Sequence, residues 1–221
     1  MADLKKVKLW KRIMMSLGGV LLLAVAVTFF KFAALGVDPF QAFVSGLDEL
    51  IPLNFGTVYL LVNVVFFILV IFVERKLIGF VTILNMFLIG YLAQWGVEGL
   101  KLLLPDAAMW IRVIFLLFGV LIFAFSLSMC ISANLGVSTY DAISLIVVNK
   151  WNKGKLSYMR IVIDLASVLL GMMFYFLGGG KLKDIPAIIS VGTILAVFFT
   201  GPLIAFFLEK VTTPMLLGKS K

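Results

Sequence analysis

Asp38, Asp141 and Asp164 are acids embedded in apolar sequence, and they are where this chain could do chemistry. A carboxylate held away from water is costly unless it binds a cation, pairs with a base or carries a proton. Arg160 precedes Asp164 by four residues, which sets both on one face of a helix and permits an ion pair. Asp38 and Asp141 belong to two stretches that are copies of each other. Residues 33–42 read AALGVDPFQA, and residues 133–142 read ANLGVSTYDA. Gly36 thus matches Gly136, Asp38 matches Ser138, Phe40 matches Tyr140 and Gln41 matches Asp141.

Each copy looks like a break followed by a helix start. Glycine permits backbone conformations that other residues resist, and Pro39 suits the first turn of a helix. Asp38 and Ser138 are the side-chain types that cap helices, here helices starting near Phe40 and Thr139. A helix N-terminus carries free N–H groups and a partial positive charge, and so attracts carboxylate or phosphate. A capped turn between two spans would need the same residues, and duplication preserves turns as readily as binding sites. Replacement of Gln41 by Asp141 in the second copy sets an acid opposite a neutral hydrogen-bonding group.

The expected solute-binding set is therefore Gly36, Asp38, Phe40, Gln41, Asn134, Gly136, Ser138, Thr139, Tyr140 and Asp141. Asn63, Asn85, Arg160 and Asp164 form a second group of interior polar residues that could couple an ion. Asp141 and Asp164 are the expected sites of cation contact or proton coupling. Asn63 is the loose counterpart of Asp164, and Asn85 reads chiefly as an interhelical hydrogen bond. Gln94 and Trp95, with Phe40 and Tyr140, could line a cavity for a flat organic molecule.

The elements that hold these residues must be membrane helices. Hydrophobic residues make up 63% of the chain and charged residues 14%, against about a quarter charged in soluble domains. Crossing the hydrocarbon takes roughly 20 apolar residues in a helix. Six segments qualify: 14–34, 57–73, 78–96, 112–133, 158–178 and 186–208. The stretches 41–51 and 141–148 are too short to cross and too apolar for ordinary loops, so they are expected to re-enter the membrane or lie along its surface. The basic N-terminus followed by an apolar run has no small-residue cleavage site, which makes it a retained span.

The duplication extends beyond the motifs. Gly19-Val20-Leu21 matches Gly119-Val120-Leu121, and Thr82-Ile83-Leu84 matches Thr193-Ile194-Leu195. Gly90 and Gly201 close the latter pattern, as expected for close helix packing. The chain divides into residues 1–108 and 109–221, two three-span repeats forming one membrane domain.

Charge orients them. Lys5, Lys6, Lys8, Lys11, Arg12, Arg75, Lys76, Lys150, Lys153, Lys155, Arg160, Lys210, Lys219 and Lys221 fall on one side. Lys101, Arg112, Lys181 and Lys183 fall on the other, with Lys31 near the end of the first span. The basic excess marks the cytoplasm, so both termini are expected there. Trp10, Trp110 and Trp151 would sit at the interfaces. An odd number of spans per half makes the second repeat upside down. The expected fold is an all-α polytopic membrane protein with a 3+3 inverted-topology repeat and short helices after spans 1 and 4.

The net charge of +8 serves topology and lipid headgroups rather than nucleic acid. Histidine is absent and Cys130 is the single cysteine, a small packing residue. Imidazole chemistry and an intramolecular disulfide are thereby excluded, and a thiolate metal cluster is not expected. There is no Gly-rich phosphate loop and no pair of carboxylates at hydrolase spacing. No catalytic residue, metal or cofactor is expected, and the protein is not expected to be an enzyme.

The Leu-Gly-Val-Asp-Pro-Phe and Leu-Gly-Val-Ser-Thr-Tyr-Asp segments, with the Thr-Ile-Leu endings of spans three and six, resemble the bacterial YczE/YyaS/YitT family of multispanning membrane proteins. The similarity is to the short form, without the soluble C-terminal domain of the YitT-like branch. It implies a permease-like protein of the bacterial plasma membrane and supplies no substrate.

The leading expectation is a secondary transporter for a small polar organic solute, vitamin-like or another metabolite. It would rock one repeat against the other around a midplane site, with or without a coupling ion. A solute-binding subunit of a larger transport complex and a channel are the alternatives. A membrane partner of a biosynthetic enzyme is a further one. Expected partners are the bilayer, the solute and, if the site is shared, a second copy in a homodimer.

Overall fold

A computed structural model describes residues 7–53, 55–149 and 155–218. Lys5, Lys6, Lys150, Trp151, Lys153, Lys219 and Lys221 lie outside the described residues. The helices in chain order are α1 (Leu9–Ala33), α2 (Pro39–Leu50), α3 (Phe55–Glu74), α4 (Phe80–Leu103), α5 (Met109–Ala133), α6 (Thr139–Asn149), α7 (Leu156–Leu177), α8 (Ile185–Ile188), α9 (Val191–Phe207) and α10 (Thr213–Leu217). Short 3₁₀ turns at Arg75–Leu77 and Leu182–Asp184 and a π turn at Leu208–Thr212 join some of them. No strand occurs among the described residues.

Six helical stretches are long and apolar enough to cross a membrane: α1, α4, α5, α7, Gly56–Leu77 and Val191–Leu217. The third span is longer than its hydropathy suggests, running through Gln94, Glu98 and Lys101 to Leu103. The sixth starts later than position 186, because 185–188 form the separate turn α8. Trp10 and Trp110 are exposed at the starts of α1 and α5.

The two halves repeat the same order: a long helix, a break, a short helix and two more long helices. Both breaks have the same backbone. Ala34 and Asn134 end α1 and α5 in the left-handed region at φ 50°, and Gly36 and Gly136 follow at φ 98° and 108°. Such breaks expose N–H and C=O groups that lipid cannot satisfy.

Each break is instead satisfied by the other half. The Val37 N–H donates to the Ile188 carbonyl at 3.1 Å, and the Gly192 N–H donates to the Leu35 carbonyl at 2.7 Å. In the second copy the Val137 N–H donates to the Leu77 carbonyl at 3.2 Å, and the Val81 N–H donates to the Leu135 carbonyl at 3.4 Å. Thr193 Oγ1 donates to the Val37 carbonyl at 2.8 Å. Its counterpart Thr82 Oγ1 accepts from the Gly79 N–H at 3.1 Å.

Around these clasps α1 packs along α5, with Ala26, Phe30 and Ala33 against Ala124, Leu127 and Cys130. Gly19 admits Cys130, whose sulfur would lie 2.7 Å from an added Cβ. The short helix α2 lies against α7, where a Cβ on Gly171 would meet the Ala42 carbonyl at 2.6 Å. At the equivalent junction of α6 with α3, Val70 packs against Ala142, Leu145 and Ile146. The larger side chains hold that second pair further apart.

Gly136 is the sharpest test of the clasp. An added Cβ would meet the Gly79 nitrogen at 2.7 Å and Thr82 Oγ1 at 2.8 Å, on a backbone at φ 108°. Gly136→Ala should lower stability by at least about 1–3 kcal/mol from backbone strain alone, read as a fall in melting temperature in detergent. Gly90 has nothing within 4 Å of an added Cβ, so Gly90→Ala should raise stability by roughly 0.5–1 kcal/mol through helix propensity. The opposite order would show that the breaks do not hold the halves together.

Candidate functional site

The N-terminal ends of α2 and α6 point at each other in the middle of the protein. Phe40 and Tyr140 stack there, ring centroids 5.0 Å apart, with Tyr59 edge-on to Phe40 at 5.4 Å. A cavity of about 920 Å³ opens from this junction between α1, α3 and α4. Its walls include Leu23, Val27, Ile89, Phe123 and Leu127, and it is also lined by the half-buried Lys31 and the exposed Glu98 and Lys101.

The polar end is built from both motifs. Asp38 caps α2, accepting from the Phe40 N–H at 3.1 Å and the Gln41 N–H at 3.3 Å through Oδ1. Its Oδ2 accepts from Gln41 Nε2. Ser138 caps α6, accepting from the Asp141 N–H at 3.1 Å while its hydroxyl donates to the Asp141 carboxylate. Both helix starts therefore already hold an oxygen ligand of their own. Thr139 donates to Asn63 Oδ1 at 2.8 Å, and Asn63 Nδ2 donates to the Tyr59 carbonyl at 2.9 Å.

Arg160 closes the bottom. It ion-pairs with Asp141 and, through Nε at 3.0 Å, with Asp164. Tyr140 donates its hydroxyl to Asp164 Oδ1 at 2.6 Å, and the guanidinium lies 5.1 Å from the Tyr140 ring centroid. All four side chains are buried. The pair predicted between Arg160 and Asp164 is present, and Asp141 joins it as a third member. Charges this deep survive only as a matched set with their hydrogen bonds satisfied.

The cavity gathers Asp38, Phe40, Gln41, Asn63, Asn85, Ser138, Thr139, Tyr140, Asp141 and Arg160 from the sequence-derived set. Four members stand apart. Asp164 supports Arg160 and Tyr140 from behind the wall. Gly36 and Gly136 are covered by the opposite half, at Thr193 and Gly79, and serve the clasp. Asn134 is exposed, and its carbonyl accepts from Arg12 at 2.7 Å.

Asn85 departs from its expected role as interhelical glue. It is 3% exposed, borders the cavity, and neither polar atom of its side chain has a hydrogen-bond partner. Gln41 Oε1 is likewise buried and unpartnered. Trp95 is 64% exposed and does not border the cavity, whereas Gln94 does. Gly90 faces the cavity instead of a packed helix, while Gly201 does pack closely, 2.7 Å from the Ser157 carbonyl to an added Cβ.

Lys31 and Tyr59 also line the cavity and carried no motif. The signal for Lys31 was its register: Leu23, Val27 and Lys31 fall at intervals of four on one face of α1. Tyr59 could be found only through its ring contact with Phe40.

Removing the guanidinium should be severe. Arg160→Met leaves Asp141 and Asp164 facing each other, at an expected cost of about 3–5 kcal/mol. Neutralising all three, as Asp141→Asn, Arg160→Met and Asp164→Asn together, should recover most of that loss. Thermal melts of the single and triple variants test this, and a triple variant weaker than Arg160→Met would sink the matched-set account.

No curated protein and no solved structure matches this chain in sequence or fold comparison. A family model matches residues 10–209, taking in all or most of each of the six candidate spans, both breaks and every residue around the cavity. The chain belongs to DUF6198, a family of unknown function.

Proposed function

We propose that the protein is a secondary transporter or permease for a small polar organic solute, with the cavity as its solute site. The observation that carries this is a second, collapsed void related to the first by the duplication. A void of about 10 Å³ is lined by Ile131, Asp141, Leu156, Arg160, Gly201 and Ile204, among others. In the register that pairs Asp164 with Asn63 and Gly171 with Val70, the counterparts of Ile131, Asp141, Arg160, Gly201 and Ile204 in the first half are Lys31, Gln41, Tyr59, Gly90 and Ala93. All five line the open cavity. Asp141 and Arg160 border both spaces.

Equivalent helix pairs support the same view. α3 and α4 stand apart beside the open cavity, whereas α7 and α9 are packed together. Gly90 meets nothing, and Gly201 meets the backbone of Ser157. On the inverted-repeat reading, these are one seam seen open on one face of the membrane and shut on the other. With cytoplasmic termini, the open cavity faces outward. Exchange of conformations between repeats would shut it and open the inner void, which is alternating access. The Asp141–Arg160 partition interrupts the continuous path a channel would need. Resemblance to the YczE/YyaS/YitT family agrees with a permease of the bacterial plasma membrane.

Ser144 offers a probe, being 2% exposed and bordering the small void. In a Cys130→Ala background, Gly90→Cys and Ser144→Cys are each exposed to a small membrane-impermeant thiol reagent. Gly90→Cys should react quickly from one face, and Ser144→Cys more slowly from the other. A Ser144→Cys protein that stays folded yet inert for hours, or that reacts from the same face as Gly90→Cys, would refute alternating access.

A further inference from the structure

The charges and unpaired atoms around the cavity go further than a polar solute of any kind. Asp38 and Asp141 in the cavity wall and Asp164 just behind it bring three negative charges, and Arg160 and Lys31, also in the wall, bring two positive ones. Glu98 and Lys101, both exposed, offset each other. Arg160 is committed to Asp141 and Asp164. Among the described residues, Asp38 accepts hydrogen bonds from uncharged groups, two backbone N–H donors and the Gln41 amide. Beside it Gln41 Oε1 lacks a donor, and both side-chain atoms of Asn85 lack partners, with each residue at least nine-tenths buried and bordering the cavity.

Phe40 stands in the same wall, a ring face that favours cations. Unsatisfied oxygens call for N–H donors, and one unit of negative charge calls for a monovalent cation. The apolar walls formed by Leu23, Val27, Phe123 and Leu127 call for an organic body. At about 920 Å³ the space is of the size that takes whole organic molecules. A bare metal ion would leave most of it unfilled.

We infer that the cavity binds a small organic ammonium ion, with Asp38 as its counter-ion and Gln41 Oε1 and the Asn85 amide as its hydrogen-bond partners. This rests on the cavity being the solute site of the proposed transporter. It moves the cation contact from Asp141 and Asp164, which Arg160 already occupies, to Asp38.

Primary, tertiary and quaternary alkyl- and arylalkyl-ammonium ions are added to the purified full-length protein at constant ionic strength. Carboxylates and neutral molecules of matched size serve as comparisons. A ligand that binds the folded state raises the melting temperature by mass action. Ammonium ions should do so saturably, and the other two classes should not. Asp38→Asn retains a capping oxygen, so it should melt near the parent while binding the ammonium probe at least tenfold more weakly. Asn85→Ala, which removes no hydrogen bond of the empty protein, should weaken binding of protonated amines severalfold.

Stabilisation by carboxylates or neutral molecules in preference to ammonium ions overturns the assignment and leaves transport standing. A silent ammonium panel, or ammonium binding that survives both substitutions, also overturns it. Ammonium binding lost in both variants, together with a Ser144→Cys site that never opens, upholds the cation site and overturns transport instead.

Discussion

Everything in this fold depends on one requirement: a backbone broken between apolar helices must find its hydrogen-bond partners within the protein. The chain breaks twice, after α1 and after α5, and neither half can mend its own break. Leu35 and Val37 are held by Ile188, Gly192 and Thr193, and Leu135 and Val137 by Leu77 and Val81. The reciprocity makes the two halves one folding unit. It also fixes where the short helices begin, because each starts directly beyond a clasp. Their N-termini consequently meet, and the meeting point becomes the polar centre of an otherwise apolar molecule.

Duplication supplies two equivalent seams, and small substitutions make them unequal. Gly171 lets α7 press against α2, whereas Val70 at the corresponding place keeps α3 off α6. Gln41 in one copy is neutral, and Asp141 in the other recruits Arg160. Asn85 has Ala196 as its counterpart, so the unpartnered amide belongs to the open side, while the closed side has only the unpartnered Ser144 hydroxyl among the described residues. The difference between a cavity and a sealed seam thus lies in a handful of side chains on one repeated backbone.

The six spans, the paired breaks and the caps Asp38 and Ser138 were legible because each follows from a local rule: span length, glycine at a positive φ, or a capping oxygen. Residues that act across the fold were less so. Gly36 and Gly136 read equally as binding elements or turns, and their role emerges only with Thr193 and Gly79 packed over them. The third span is cut short by hydropathy because Gln94, Glu98 and Lys101 look like a helix end. They remain helical since a water-accessible cavity, and not lipid, faces Gln94 and its neighbours. Asn85 was misjudged for the converse reason. An asparagine in a span finds a partner helix by default, and nothing local to it reveals that α3 and α4 stand apart.

The location of the ion set ties these features together. Arg160 and its two carboxylates could have been buried anywhere that their hydrogen bonds were satisfied. They sit instead on the partition between the open cavity and the collapsed void, with Asp141 and Arg160 bordering both. A matched set of charges is rigid while complete and expensive once broken. On the proposed alternating-access reading, the set could seal whichever space is shut without itself coming apart, since its internal pairs lie among Asp141, Arg160 and Asp164 themselves. Tyr140 extends the set toward Phe40 by ring stacking and toward Asp164 by its hydroxyl. Asp38 is a buried acid outside this arrangement, attached to the first motif and lining the open space. On the proposed reading, the charge set around Asp141 is structural and the separate Asp38 faces the ligand, so the two copies of one motif divide those roles.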